Sequence, residues 1–461
     1  MKQKTFKILA VCLALALWML PTMVMAAPQK SDKMSKAPAK ETVSKPAPSK
    51  ANTDKTNIDK TNTAKADTSK KAVPAAKKEE PMLRVGLAEE QNSAVFSADN
   101  DYVVRDGATG KGLEKKTHKD KLTITVKNHQ FVLNGKAVSA KKIKLKPVDS
   151  KEKIVFSYND TKYRGEFELV LKNGSFTVIN IVKLDDYIGG VLNEEMGEGW
   201  PSEAMKAQAV AARTFALYTV GEEKHEEDGY DVCATTHCQV YGGVESESRD
   251  ALAAVSATRG EVMTYGGKPI YAAFHASSGG RTAGSDETNE VLPYLKSRLD
   301  REDSVNPNQE WQVAVPVTTL VQKLRSEGYN IGTLKRIEIS PLDIQSPKPS
   351  KDRYTSCRVK TVRFVGSVKT VEVPGTKLRW IFGLHSTLFD IRYGSGKSIK
   401  PNKDGKIEIK NRSGETITFD GAGWGHGLGL SQWGARGMAA KHGYRDILAR
   451  YYTDVKIEKL F

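Results

Sequence analysis

Between residues 82 and 182 apolar and polar positions alternate, as in Leu122-Thr123-Ile124-Thr125-Val126 and Phe167-Glu168-Leu169-Val170-Leu171. A period of two marks half-buried strands, and Asn134-Gly135 and Asn173-Gly174 supply hairpin turns. From residue 184 the period lengthens. Leu184, Tyr187, Ile188, Val191 and Leu192 recur at helical spacing, so one stripe faces the interior. Gly197, Gly199 and Pro201 break that helix and start another, rich in alanine (Ala204, Ala207, Ala209, Ala211, Ala212, Ala216), which admits close neighbours. Beyond it the pattern predicts a helix over 246–259 with Leu252 and Val255 inward, and strands at 261–265 and 270–275 around Gly266-Gly267. A helix at about 318–327, strands at 359–365 and 368–373, and a last helix carrying Tyr451-Tyr452 complete the expectation. The fold class is α+β: a helix pair with antiparallel β modules.

The first eighty residues lie outside that pattern. Lys2, Lys4 and Lys7 precede an apolar run over 8–20, and Val24-Met25-Ala26 fits the small-residue cleavage rule. Residues 1–26 therefore read as a secretory signal peptide and the protein as exported, with an uncleaved N-terminal membrane anchor as the alternative. Cys12 does not make a lipoprotein site, because Val11 stands where a small residue is needed. Residues 27–80 are Lys, Ala, Pro, Ser, Thr and Asp without one aromatic, so they are expected to be a disordered basic linker. An N-terminal β-rich module over 81–183 and a region over 184–461 follow. The chain of 461 residues carries a formal net charge of +16. For an exported chain that charge suits wall or membrane polyanions, through salt-sensitive attraction, and export excludes nucleic acid.

Candidate chemistry begins where the helical stripe fails. Three or four residues past Leu192 the stripe reaches Glu195, while Glu194, Asp185 and Asp186 project elsewhere and can stay solvated. A carboxyl on a buried stripe is disfavoured as an anion, so its pKa rises and it can hold the proton a general acid needs. The competing reading is structural: Glu195 caps a neighbouring helix or pairs with Arg213. The loop over 221–243 holds His225, Cys233, His237, Cys238, Gln239 and Tyr241. Two readings stay open there, a Cys233–Cys238 disulfide and a structural zinc site on His225, Cys233 and Cys238. His237 is set aside as a ligand, since adjacent residues seldom aim at one ion. The turn Ala276-Ser277-Ser278-Gly279-Gly280 offers hydroxyls and close approach. In Gly423-Trp424-Gly425-His426-Gly427-Leu428-Gly429 no G-x-G-x-x-G register is met, so it is no phosphate fingerprint.

Asp186-Tyr187-Ile188, Val191, Glu195-Met196 and the run from Glu203 to Thr214 (Glu-Ala-Met-Lys-Ala-Gln-Ala-Val-Ala-Ala-Arg-Thr) resemble the signature of the SpoIID/LytB family. Tyr163-Arg164-Gly165, Ser277-Ser278-Gly279-Gly280, Pro293-Tyr294-Leu295, Trp311 and the Gly-Trp-Gly-His-Gly block match it in order, so the resemblance spans about residues 82–461. Its enzymatic members are lytic transglycosylases of peptidoglycan, and the Glu of their Glu-Met pair is the acid, here Glu195. The resemblance implies a catalytic region over 184–461, with Lys206, Gln208, Arg213, Gln239, Tyr241, His275, Ser277, Ser278, Gly279, Gly280, His426, Ser431 and Gln432 toward substrate. It implies glycan strands freed of stem peptides as substrate, a zinc beside the active site in some members, and a cell-wall amidase as partner. The LytB branch implies an alternative, a non-catalytic amidase modifier. A zinc- or cysteine-dependent peptidase is disfavoured, because no metal-protease helix motif is present.

Overall fold

The computed structural model describes residues 78–461 apart from 349, 395–398, 411 and 413. The expected signal peptide and almost all of the expected basic linker lie outside these residues. Among the described residues no helix is long and apolar enough to cross a membrane.

The alternating segments form two sheets packed face to face, antiparallel except where the short strand Val232–Cys233 joins Met82–Gln91 in parallel. One has seven strands and runs from the short strand Val232–Cys233 through Met82–Gln91, Ser175–Lys183, Glu166–Lys172 and Lys142–Pro147 to an edge hairpin. The other has six strands, with Ser93–Ala98 and Leu122–Lys127 at its centre. Phe167 of the first meets Phe96 of the second with ring centroids 5.0 Å apart, and both are fully buried. The Asn-Gly pairs turn their hairpins as expected: Asn134 and Asn173 have φ of 44° and 53°, each followed by a left-handed glycine.

The last strand of that module runs directly into α1 (Leu184–Met196), and α2 (Ser202–Gly221) follows. The whole predicted stripe of α1 is buried. Two expectations fail nearby. Leu252 on α3 (Arg249–Ala257) is 40% exposed, because the small Ala251 and Ala254 turn inward beside Val255 instead. Of the strand expected over 270–275 only Phe274–His275 forms, pairing in parallel with Leu430–Ser431, while the short strand Lys268–Pro269 precedes the expected range.

Hydrophobic burial falls mainly into two cores. The larger unites the β module with α1, α2, α3 and the C-terminal helices α6 (Gln432–Met438) and α7 (Tyr444–Tyr451). The second, from Trp311 to Phe419, is built by α4 (Val317–Ser326), α5 (Gly375–Phe382) and two small antiparallel sheets.

Candidate functional site

Glu195 lies in the last turn of α1, which ends at Gly197 with its N–H on Asn193 O at 2.7 Å. The carboxyl is half-buried, and Oε1 accepts the backbone N–H of Val240 at 3.2 Å. Burial pushes its pKa up; the Val240 bond opposes this and the nearby Glu194 charge adds to it. The negative end of the helix dipole acts in the same direction as burial. Arg213 is not its partner. That guanidinium is fully buried, pairs with Asp185 at 2.7 Å and donates to Glu261 O at 3.0 Å, stitching α1, α2 and the strand Glu261–Tyr265 together. Asp185 is therefore held by an ion pair rather than free in solvent, and Asp186 has its pKa raised by burial. Glu194 remains exposed and accepts Ser246 Oγ.

Val240 is set in place by its neighbours. Gln239 is buried, donating Nε2 to Ala212 O at 3.3 Å and accepting Tyr187 Oη at 3.3 Å. Tyr241 is buried against Tyr187 and donates its hydroxyl to Asn180 at 3.1 Å. Gly190 in the middle of α1 makes room for it: a Cβ there would lie 2.6 Å from the Tyr241 ring. Gln239, Tyr241 and Arg213 thus spend their polar groups inside the protein, and the expectation that they face substrate is corrected.

The cysteine–histidine loop closes against the first strand, where Val85 and Gly86 pair with Val232 and Cys233. His225, Cys233, His237 and Cys238 bring one donor atom each within 4.8 Å of one another. His225 Nδ1 bonds Asp228 at 2.9 Å, which leaves Nε2 toward Cys238 Sγ at 3.3 Å. A carboxylate behind an imidazole is the usual way to fix the tautomer of a metal ligand. His237 belongs to the cluster despite its adjacency to Cys238: its Nδ1 lies 3.7 Å from Cys233 Sγ and 3.6 Å from Cys238 Sγ. No bond joins the two sulfurs. Hydrogen bonding from Cys238 lowers the Cys233 pKa, with Thr235 and His237 acting in the same sense, while Cys238 is raised as the proton donor. Four soft or borderline donors around one point fit a tetrahedral zinc.

The two glycine-rich turns are organised by a residue that sequence reasoning missed. Asp303 is fully buried and accepts Ser277 Oγ at 2.7 Å, Ser278 N at 3.1 Å, Gly279 N at 3.0 Å, Gln309 Nε2 at 2.9 Å and Ser431 Oγ at 2.7 Å. Gly279 has φ of 71°, and a Cβ on it would lie 2.7 Å from the backbone of Ala422. Ser277, Ser278 and Ser431 are consequently buried scaffold, and they are not open to a ligand as expected. Gln432 is buried at the start of α6. Asp300, beside Asp303, accepts Tyr451 Oη at 3.0 Å, and burial with the Asp303 charge pushes its pKa up to about 7. Nothing around Asp300 or Asp303 in sequence marks them, because their importance comes from distant donors.

His275 is buried with Nδ1 on Leu428 O at 3.0 Å, and desolvation holds it neutral. His426 accepts Leu428 N–H at Nδ1, 3.0 Å away; the residue keeps exposed surface, and desolvation with nearby Arg358 lowers its pKa. Lys206 is half-buried and paired with Glu203 at 2.6 Å. Gln208 is fully buried, with both amide atoms unpartnered. Of the expected substrate contacts, Lys206, Gly280 and His426 retain open surface.

Residues 172–265, which hold Glu195 and the cysteine–histidine loop, match the model of the stage II sporulation protein family. An uncharacterized protein of Brachyspira hyodysenteriae is 31% identical over 304 residues, covering 66% of this chain and 74% of that one. Stage II sporulation protein D of Bacillus subtilis is 28% identical over 297 residues, covering 61% and 76%. The amidase enhancer of Bacillus subtilis is 30% identical over 303 residues, covering 57% of this chain but 39% of its own length. With the helix pair and its carboxyl in place, the chain belongs to the stage II sporulation protein D (SpoIID) family.

Proposed function

We propose that the protein is an exported lytic transglycosylase that cleaves the MurNAc–GlcNAc bonds of peptidoglycan glycan strands, with Glu195 as its one acid and base. The observation that carries this reading is the half-buried carboxyl at the end of α1, its pKa raised by burial and one oxygen fixed by Val240 N–H. Protonated Glu195 gives its proton to the glycosidic oxygen as the bond to the muramoyl C1 breaks, and the 2-acetamido group assists at C1. The resulting carboxylate takes the proton of the muramoyl 6-hydroxyl, whose oxygen closes on C1. Glu195 ends protonated, no water is consumed, and the new end is 1,6-anhydro-muramoyl. A two-carboxylate glycosidase is not required, because the substrate supplies the second group.

The same reading gives the cysteine–histidine cluster to zinc, held by His225, Cys233 and Cys238 with His237 as the fourth donor. Such an ion supplies structural closure of the loop. The residues around it hold Val240 against Glu195.

Mass spectrometry of glycans incubated with the purified protein, with and without stem peptides, tests the proposal. Ends lighter by one water, formed faster on peptide-free strands, are expected. Ends that contain water would make it a hydrolase. One relative is named amidase enhancer, and in a second reading this protein too stimulates a cell-wall amidase. Absence of cleavage together with faster peptide release by an added amidase would establish that reading instead.

A further inference from the structure

Trp424 is 52% exposed, although its backbone is fixed on both sides. It exchanges hydrogen bonds with Ser277, N to O at 2.8 Å and O from N at 3.1 Å, and Gly425 N bonds His385 O at 3.0 Å. One face of its ring is stacked on His385, with centroids 4.2 Å apart and planes 28° apart. His385 is backed in turn by Trp311, 5.4 Å away, whose Nε1 holds Gly423 O at 2.9 Å. Among the described residues no second ring and no cation stacks on Trp424. A large side chain held this firmly with one face presented is set up for a flat partner.

The surroundings identify that partner. Gly423, Gly425, His426 and Gly427 flank Trp424 in the chain and bring no apolar side chain beside it. An isolated indole face with polar edges suits the C–H face of a pyranose, which presents positive hydrogens to the negative π face. Its position links it to the proposed acid. Trp433 N bonds Ala276 O at 3.0 Å, so Trp433 and Trp424 are tied to the consecutive residues Ala276 and Ser277. Trp433 packs on Trp200 at 5.2 Å, and Arg436 covers both rings. Trp200 itself follows Glu195 across the short turn between α1 and α2. Ring and backbone contacts therefore connect the end of α1 to Trp424 through Trp200, Trp433 and the segment Ala276-Ser277.

We infer that Trp424, stiffened by His385, is a remote sugar subsite that stacks on an N-acetylhexosamine ring of the same strand Glu195 acts on. This rests on the proposed glycan-cleaving function. It makes Trp424 a determinant of strand length: short oligosaccharides at Glu195 do not reach it, and long ones gain from it.

Calorimetric titration of the full chain carrying Glu195→Gln with the trimer and hexamer of N-acetylglucosamine tests it. Adding Trp424→Ala should weaken the hexamer about tenfold, the scale of one lost aromatic contact, and leave the trimer unchanged. Trp424→Phe should stay within about threefold of the parent, since it keeps a ring. Equal hexamer affinity in the Ala variant overturns the subsite. So does equal weakening of trimer and hexamer with a lowered unfolding temperature, which would make Trp424 structural. If the wild type cleaves nothing while Trp424→Ala still loses the hexamer, the subsite stands and the acid assignment falls.

Discussion

Val240 donates its backbone N–H to Oε1 of Glu195 across 3.2 Å, two residues beyond Cys238. The cysteine–histidine loop therefore reaches the carboxyl through the main chain and not through a sulfur or an imidazole. The bond favours the carboxylate while burial favours the acid, and burial prevails. A group balanced in this way can release a proton and take one back, which both halves of the proposed reaction need.

Glu195→Gln should lower glycan cleavage by at least about 100-fold, the ordinary worth of a positioned acid. Its stability should move the other way. A carboxyl whose folded pKa is raised contributes stability that is complete below its unfolded pKa and is lost as pH rises through the folded value. Gln carries no such dependence, so the variant should unfold no earlier than wild type at pH 8. Thermal unfolding at pH 5 and pH 8 with a turnover assay checks both; near wild-type turnover would remove Glu195 from the mechanism.

Purified protein should carry about one zinc per chain, as a closed four-donor site holds. Cys238→Ser should lose the metal, lower the unfolding temperature and reduce activity with it, because the loop that holds Val240 loosens. Metal analysis with thiol counting decides the question. Protein without metal and without free thiols at Cys233 and Cys238 would establish the disulfide.

The helix pair was legible because its signals are local. The stripe from Leu184 to Leu192 and the Gly197–Pro201 break fix α1 and α2 without help from the rest of the chain. The hairpins at Asn134 and Asn173 were legible for the same reason. The substrate contacts were not. Ser277 and Ser431 look like ligand-facing hydroxyls until Asp303, far from Ser431 in sequence, draws both inward. Leu252 fails similarly, since alanines allow α3 to pack closer on the face beside it. His237 was disfavoured because it adjoins Cys238, yet this loop brings its Nδ1 near both sulfurs, a placement that local spacing does not reveal.

Asp300 should make the protein less stable in mild alkali. Its folded pKa is raised to about 7 by burial and by Asp303. The stability it contributes when protonated is complete below its unfolded value and is lost as pH climbs through about 7. Asp300→Asn keeps the shape and an acceptor for Tyr451 Oη, so the drop in unfolding temperature from pH 5 to pH 8 should shrink. Glu287, also raised to about 7 by burial, titrates in the same window and leaves a residual slope. An unchanged drop in the Asn variant would mean that Asp300 does not titrate there.

Asp303 should be the most damaging buried carboxylate to neutralise. Its two oxygens serve five donors drawn from both glycine-rich turns and from Gln309. In Asp303→Asn one oxygen becomes an NH2 group, which confronts donors with a donor inside a buried site. The expected loss is about 2–4 kcal/mol, from weakened charge-assisted bonds and the groups left unpaired. Ser431→Ala removes a single donor and the cap it gives Gly434 N at 3.2 Å, and should cost about 1–2 kcal/mol. Denaturant unfolding of the two variants measures the difference. Combined in one chain, their effects should fall short of additivity, because Asp303→Asn has already lost the partner that Ser431→Ala removes. Strict additivity would show that the two turns are held by something other than this carboxylate.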